Sequence, residues 1–146
     1  MANNPNTTTM SKHQTTGMTG VYLVAAELSR RGFIASPTSR SAQGADLLVT
    51  DADCQKSFAV QVKTNSRTFG FWLLSAKATT LHARTLVYAF VNLRRDRIDF
   101  YLVPSAYVSK NVNVSKPSKT RTSIWHGISL KKVERYQDNW QIFGKE

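Results

Sequence analysis

The sequence predicts one α/β domain in which helices flank a mixed central sheet. Two observations predict this class: apolar residues recur at helical spacing near the N-terminus, and β-branched and aromatic residues then form short strand-like runs between turns. The chain has 146 residues, of which 41% are hydrophobic, and this fits a single domain with its own core. We expect residues 1–16 to be a disordered polar tail and residues 17–146 to form the domain.

The first predicted element is a helix over about residues 20–31. Its apolar face consists of Val21, Val24, Ala25 and Leu28. Thr19 is the expected N-cap, and Gly32 suits the left-handed residue that ends a helix.

Strands and short helices fill the remainder of the chain. Strands are predicted at 33–36, 46–51, 58–63, 85–93 and 98–103, while the run 72–75 is ambiguous. Because residues 52–56 favour a turn, the strands on either side of them should pair as an antiparallel hairpin. Short helices are expected at 76–84, from Pro104 to about 110, and after Ser129; 109–123 should be a long basic loop, and Trp140, Ile142 and Phe143 should dock on the core.

The charge balance favours a polyanionic partner. Twenty Lys and Arg oppose nine Asp and Glu, which gives a formal net charge of +11 and a pI near 10.2. Such a field attracts nucleic acid. The single cysteine, Cys54, excludes an intrachain disulfide and indicates a reducing, cytoplasmic setting, and no run of residues has the length of a membrane span.

The predicted hairpin brings together an acid, an amide and an amine. Gln61 and Lys63 alternate onto one strand face, and the position of the turn places Asp46 opposite them, provided that the register does not slip by one residue. Asp46 can supply an oxygen ligand to Mg²⁺, and the side chain of Gln61 or the carbonyl of Val62 can add another. Lys63 can position a water molecule and stabilise negative charge on a phosphate. The alternative interpretations are a turn acid at Asp46 and a solvated edge lysine at Lys63.

The same residues resemble a known nuclease family. In the order of the chain, the matching segments are Ala-Ala-Glu-Leu-Ser-Arg-Arg-Gly-Phe at 25–33, Gly-Ala-Asp-Leu-Leu-Val at 44–49 and Gln-Val-Lys-Thr at 61–64. Together they are similar to the PD-(D/E)XK motif of the restriction-endonuclease-like superfamily, in particular to small members with a QVKT variant, and the resemblance covers about residues 17–103. It implies a restriction-endonuclease-like fold and an endonuclease that uses Mg²⁺, or Mn²⁺, to hydrolyse double-stranded DNA, with a homodimer suited to cutting both strands.

Two positions depart from the family pattern. Gln61 stands where the motif usually has an acid, and Val21 follows the helix glycine where relatives often have a glutamate. Glu27 is an uncertain substitute for that glutamate because it points to a different side of the helix, and its alternative role is an ion pair with Arg31. These departures keep a second hypothesis open, a nucleic-acid-binding module with weak or no cleavage. A structural or protein-interaction subunit that is basic for other reasons is a third.

Basic residues near the hairpin and in the long loop are the expected nucleic-acid contacts. They are Arg40, Arg67, Lys110, Lys116, Lys119 and Arg121. Core packing is expected for Phe71 and Trp72, although aromatic rings at these positions could also stack on bases.

Overall fold

A five-stranded mixed sheet forms the centre of the protein. The computed structural model describes residues 12–39 and 43–144. The sheet has the order β1-β2-β3-β5-β6, in which β3 and β5 are parallel and all other neighbours are antiparallel. Its strands are β1 (Ile34–Pro37), β2 (Leu47–Thr50), β3 (Ser57–Asn65), β5 (Leu86–Leu93) and β6 (Ile98–Pro104). The five predicted strands all belong to this sheet, and none of their ends is shifted by more than two residues.

Three shorter strands form a second, antiparallel sheet. They are β4 (Phe71–Leu74), β7 (Asn113–Ser115) and β8 (Trp125–Ser129), in the order β4-β8-β7. The apolar run 72–75, which was ambiguous in the sequence, is largely the strand β4. The second sheet also corrects the prediction of a long basic loop at 109–123, because the strand β7 lies inside that segment and pairs with β8.

The first helix, α1 (Lys12–Arg30), is longer than predicted. Residues 12–16, expected in the disordered tail, belong to it, and the remainder of that predicted tail lies outside the described residues. Thr19 is therefore not an N-cap: it lies within the helix, where its hydroxyl donates a hydrogen bond to the carbonyl of Thr15 at 2.8 Å. The first turns are exposed, so no apolar period marks them in the sequence. Gly32 has a φ of 85°, as the predicted helix end requires.

Further short helical segments lie between the strands and after the last strand. They are a 3₁₀ turn (Ala76–Thr79), α2 (Ser105–Asn111), α3 (Leu130–Val133) and two more 3₁₀ turns (Glu134–Tyr136 and Trp140–Phe143). The helix predicted at 76–84 stops early because Ala83 is bound instead to the buried Ser105, whose hydroxyl accepts from the amide of Ala83 at 3.0 Å and donates to its carbonyl at 2.9 Å. The part of the chain that the structure describes contains no helix with the length and hydropathy needed to cross a membrane.

The core has two layers, one on each face of the main sheet. On one face, α1 and the C-terminal turn pack against inward side chains of β2, β3 and β5, with Val24, Leu28 and Phe143 among the buried residues. On the other face, Trp72 and Ile128 of the second sheet pack against Tyr88, Phe90 and Tyr101. The predicted docking of the C-terminal segment is confirmed, since Trp140 and Phe143 are buried.

Candidate functional site

The strand β3 continues beyond the end of its hairpin partner. Its pairing with β2 ends where Val60 faces Leu47, whereas its pairing with β5 continues to Asn65, opposite Asn92. Residues 61–65 of β3 are therefore paired with β5 along one edge, while along the other edge they have no partner in β2. An edge of this kind offers backbone N–H and C=O groups to other partners.

Asp46 occupies this edge. Its amide donates to the carbonyl of Val60 at 2.8 Å, and its carboxylate Oδ2 accepts a hydrogen bond from the amide of Val62 at 2.7 Å. Because the N–H and C=O of one strand residue leave the strand on the same edge, the carbonyl of Val62 also points toward the side occupied by Asp46. A carboxylate has acceptor capacity for about four partners, so this bond leaves room for a cation or a donor.

Gln61 and Lys63 flank that contact on the strand. Val60 and Val62 are buried in the layer beneath α1, so the alternating Gln61 and Lys63 side chains project from the opposite face of the sheet. Both are partly exposed, and their register partners on β5 are Tyr88 and Phe90. The structure thus brings Asp46 to the middle of the Gln61–Lys63 segment, at the strand edge, with the amide and the amine on either side.

Glu27 does not reach this site. Its carboxylate is held by Arg31 at 2.6 Å and Arg30 at 3.1 Å, which is the alternative role that the i+4 spacing suggested. The hydrogen bond from Arg31 is the main cause of a lowered pKa for this acid. Glu27 lines a shallow groove of about 510 Å³ with the 94–98 turn, on the α1 side of the sheet, whereas Lys63 projects from the other side.

The helix contributes an aliphatic side chain, not an acid, at the position where members of the nuclease family that the sequence resembles often carry a glutamate. Val21 is only 6% exposed and belongs to the core layer beneath α1. Among residues 12–39 and 43–144, no group of three or more His, Cys, Asp or Glu side chains is placed to hold a metal ion. A metal site at the β3 edge would consequently depend on Asp46 as its acid.

A close helix–strand contact behind the site was not predicted from the sequence. A Cβ atom added at Gly20 would lie 1.8 Å from the hydroxyl of Thr64, the last residue of the QVKT segment. The Thr64 hydroxyl is buried and has no hydrogen-bond partner among the described residues. The glycine therefore lets α1 lie directly against the segment that carries the site, and a glycine within a helical pattern is the sequence signal for such an approach.

The predicted nucleic-acid contacts do not all lie in one segment: Lys116, Lys119 and Arg121 lie between β7 and β8, whereas Arg67 and Lys110 lie in other parts of the chain. Arg67 is exposed in the turn after β3; Lys110, Lys116 and Lys119 are exposed, and Arg40 lies outside the described residues. Arg121 differs because its guanidinium lies 4.6 Å from the centre of the Trp125 ring. Trp72 is buried as expected, whereas Phe71 is 38% exposed.

Comparison with known proteins supports the architecture. No protein-family model and no curated protein matches the sequence. A solved structure of Hjc from Archaeoglobus fulgidus, a Holliday junction resolvase from an archaeal hyperthermophile, matches with a TM-score of 0.54 over 82% of this chain and 93% of that one, at 16% sequence identity. The chain has the Hjc fold. The predicted restriction-endonuclease-like α/β fold, with a mixed central sheet flanked by helices, is confirmed.

Proposed function

We propose that this protein is an endonuclease-like protein that hydrolyses DNA phosphodiester bonds with the help of a divalent metal ion, as a PD-(D/E)XK member with a QVKT variant. The observation that carries the proposal is the 2.7 Å contact between the Asp46 carboxylate and the amide of Val62, with Gln61 and Lys63 on either side. The nuclease-like fold shared with a Holliday junction resolvase and the net charge of +11 favour DNA as the partner.

The donor atoms at the β3 edge fit a hard cation. The Asp46 carboxylate, the Gln61 amide oxygen and the Val62 carbonyl are all oxygen ligands, as Mg²⁺ prefers, and Mn²⁺ accepts the same set. A bound divalent ion would lower the pKa of a water molecule and screen the charge of the phosphate. With a single carboxylate in the set, we expect weak metal affinity and a requirement for the phosphate itself to complete the coordination.

The protein's own groups orient the reaction. Lys63 places an ammonium beside the edge where the phosphate would lie, so it can hold the attacking water and stabilise the negative charge that develops on phosphate. Gln61 offers its amide oxygen as a ligand in the same place and, unlike a carboxylate, adds no negative charge. Arg67 stands at the end of β3, where it can hold the DNA backbone, and the 110–121 segment is a second candidate contact. Two copies acting together would suit cleavage of both strands.

A nucleic-acid-binding module without cleavage is the second candidate. It is favoured by the burial of Val21 and by the ion pairs of Glu27, which leave α1 without an acid directed to the β3 edge. Under this proposal the basic surface and the fold serve DNA binding alone. The expected cytoplasmic setting rests on the single cysteine and applies to both candidates.

Two charge-removing variants at the site separate the two candidates. Asp46→Asn keeps an oxygen that can accept from Val62 while removing the charge, and Lys63→Gln removes the ammonium. The matched controls lie in the same hairpin: Asp53→Asn in its turn and Lys56→Gln just before β3. Supercoiled DNA with Mg²⁺ or Mn²⁺ is the substrate, and Mn²⁺ binding, followed by electron paramagnetic resonance, is a readout independent of activity.

Each candidate gives a different pattern. The nuclease proposal requires cleavage and Mn²⁺ binding that both control variants retain and Asp46→Asn loses, with Lys63→Gln losing cleavage alone. Cleavage that survives both site variants would point to a contaminant or another site. DNA binding without cleavage or Mn²⁺ binding would favour the module. In either case a binder with about six phosphate contacts should lose roughly 10³ in affinity between 50 and 200 mM salt, and a flat response would favour a protein-interaction role.

A further inference from the structure

The outer face of the second sheet exposes apolar side chains that are not needed for the core. Its inner face is buried through Trp72 and Ile128. The outer face presents Leu73, which is 57% exposed, and Trp125, which is 47% exposed, while the end of the Phe71 ring lies over Gly127 in the space where a Cβ would otherwise stand. A groove of about 340 Å³ runs beside them, lined partly by Ile124.

The Trp125 ring is held in a fixed position. Its indole N–H donates to the hydroxyl of Ser123 at 2.9 Å, and its amide donates to the hydroxyl of Ser115 at 3.2 Å. Arg121 lies 4.6 Å from the ring centre and donates to the same Ser115 hydroxyl at 2.8 Å. An exposed aromatic ring that is ordered before binding loses little entropy when a flat partner stacks on it.

The positive charge around this face favours a negatively charged partner. The sequence contains no Asp or Glu between Asp53 and Asp96 or between Asp99 and Glu134, and these two stretches supply every strand of the second sheet. The turn between β7 and β8 instead carries Lys116, Lys119 and Arg121. A second copy of the chain would bring the same positive charge to this face, which opposes self-association there. A flat, apolar partner that carries negative charge is complementary to it.

We propose that this face binds unpaired bases of a nucleic-acid strand, with Trp125 as the stacking ring, Leu73 and Ile124 as its apolar surroundings, and the basic turn as the phosphate contact. Base stacking on aromatic side chains beside a positively charged track is the general physical basis of single-strand binding. The inference rests on the proposed function in taking nucleic acid as the partner, and it adds an unpaired segment to the substrate.

The location of the face connects it with the candidate site. The second sheet packs on Tyr88 and Phe90, the register partners of Gln61 and Lys63, so it covers the same side of the main sheet from which Lys63 projects. The side-chain amide of Asn65 also donates to the carbonyl of Phe71 at 2.8 Å, which ties β4 to the end of β3. A strand stacked on Trp125 can therefore run toward Lys63 along one side of the protein.

The test compares a short thymidine oligonucleotide with an abasic oligonucleotide of the same length, both single-stranded and in EDTA. The two probes have equal charge and differ in the bases alone. Wild-type protein should bind the thymidine probe about tenfold more tightly. Its fluorescence should be quenched, because Trp125 is the exposed one of the three tryptophans, Trp72 and Trp140 being buried. Trp125→Ala should remove the preference while the abasic probe binds as before.

Control variants keep the result interpretable. Tyr22→Ala removes an aromatic ring that is 60% exposed on α1 and should leave the preference unchanged. Trp125→Phe should retain part of the preference, and Trp125→Leu, which keeps apolar area without a ring, replaces the alanine variant if that one does not fold. Equal binding of the two probes by wild-type protein overturns the inference, as does a Trp125→Ala variant that merely splits a dimer. Because the assay contains no metal, it is independent of the cleavage result for Asp46.

Discussion

Replacement of Gly20 by alanine should destabilise the protein, although alanine favours helices. The added Cβ would lie 1.8 Å from the Thr64 hydroxyl, 2.9 Å from its Cβ and 3.1 Å from its methyl group. Rotation of the threonine side chain can relieve the first and third contacts, but the Cβ of Thr64 is fixed to the strand backbone. The helix or the strand must therefore shift. Overpacking of this kind costs about 1–3 kcal/mol, against a gain of about 1 kcal/mol from helix propensity.

Gly17 provides the matched control on the same helix. Nothing lies within 4 Å of a Cβ at that position, so Gly17→Ala should stabilise the protein by up to about 1 kcal/mol. The two alanine variants should therefore move the midpoint of thermal unfolding in opposite directions, by roughly 2–4 °C per kcal/mol. Adding Thr64→Ala to the Gly20 variant should recover part of its loss, because this removes two of the three contacts.

A Gly20→Ala variant as stable as Gly17→Ala would refute the close contact. That result would also contradict the claim that α1 packs directly against the QVKT segment. If the contact is real, Gly20→Ala should also reduce the activity or metal binding measured for the Asp46 site, while Gly17→Ala should leave both unchanged.

Three further predictions concern the core and the ion pairs. Phe143→Ala should destabilise the protein by about 3–5 kcal/mol in denaturant unfolding, because its ring is buried against two other phenylalanines. Asp99→Asn should cost about 1–2 kcal/mol in the same assay, since this 5% exposed acid accepts from two arginines, at 2.6 and 3.1 Å. Glu27→Gln should cost about 0.5 kcal/mol at neutral pH. Since Arg31 lowers the folded-state pKa of Glu27 below its usual value, that contribution is present above the unfolded pKa and should disappear as the pH falls through the folded pKa.

The sequence predicted the hairpin because its register depends on local signals. Val60 and Val62 alternate with polar residues, and the turn residues fix where the two strands face each other, so Asp46 could be placed opposite Gln61. What alternation could not give is the direction of the Asp46 carboxylate. The carboxylate lies at the edge of β3, bound to a backbone amide, because Asp46 comes just before the first residue of β2, and the point where pairing stops is a property of the whole sheet.

Other elements were missed because tertiary partners create them. The strand β7, Asn113–Ser115, is short and polar, and it forms because β8 offers a backbone edge and the Ser115 hydroxyl binds the amide of Trp125. The start of α1 has no apolar period because its first turns face solvent. The role of Glu27 was open because helical spacing permits an ion pair with Arg31, whereas a role in the site depends on how α1 packs, which spacing alone does not determine.

The distribution of acids links the two proposals. Carboxylates repel a phosphodiester substrate, but they are also ligands for a divalent metal ion, so an acid beside the path of the substrate favours the reaction only where it holds the metal. Here the long acid-free stretches include β3, β4, β5, β7 and β8, whereas Asp46 lies at the edge of β3, and Asp51 and Asp53 lie at the turn of the hairpin. A strand approaching over the second sheet would meet cationic and aromatic groups until it reached Lys63 and Asp46. If DNA binding were the whole function, Asp46→Asn should strengthen affinity in EDTA by removing a repulsive charge; a nuclease should show that gain as well, but lose cleavage and Mn²⁺ binding with it. Measuring both DNA affinity and Mn²⁺ binding for Asp46→Asn therefore decides whether Asp46 is a metal ligand or has no part in catalysis.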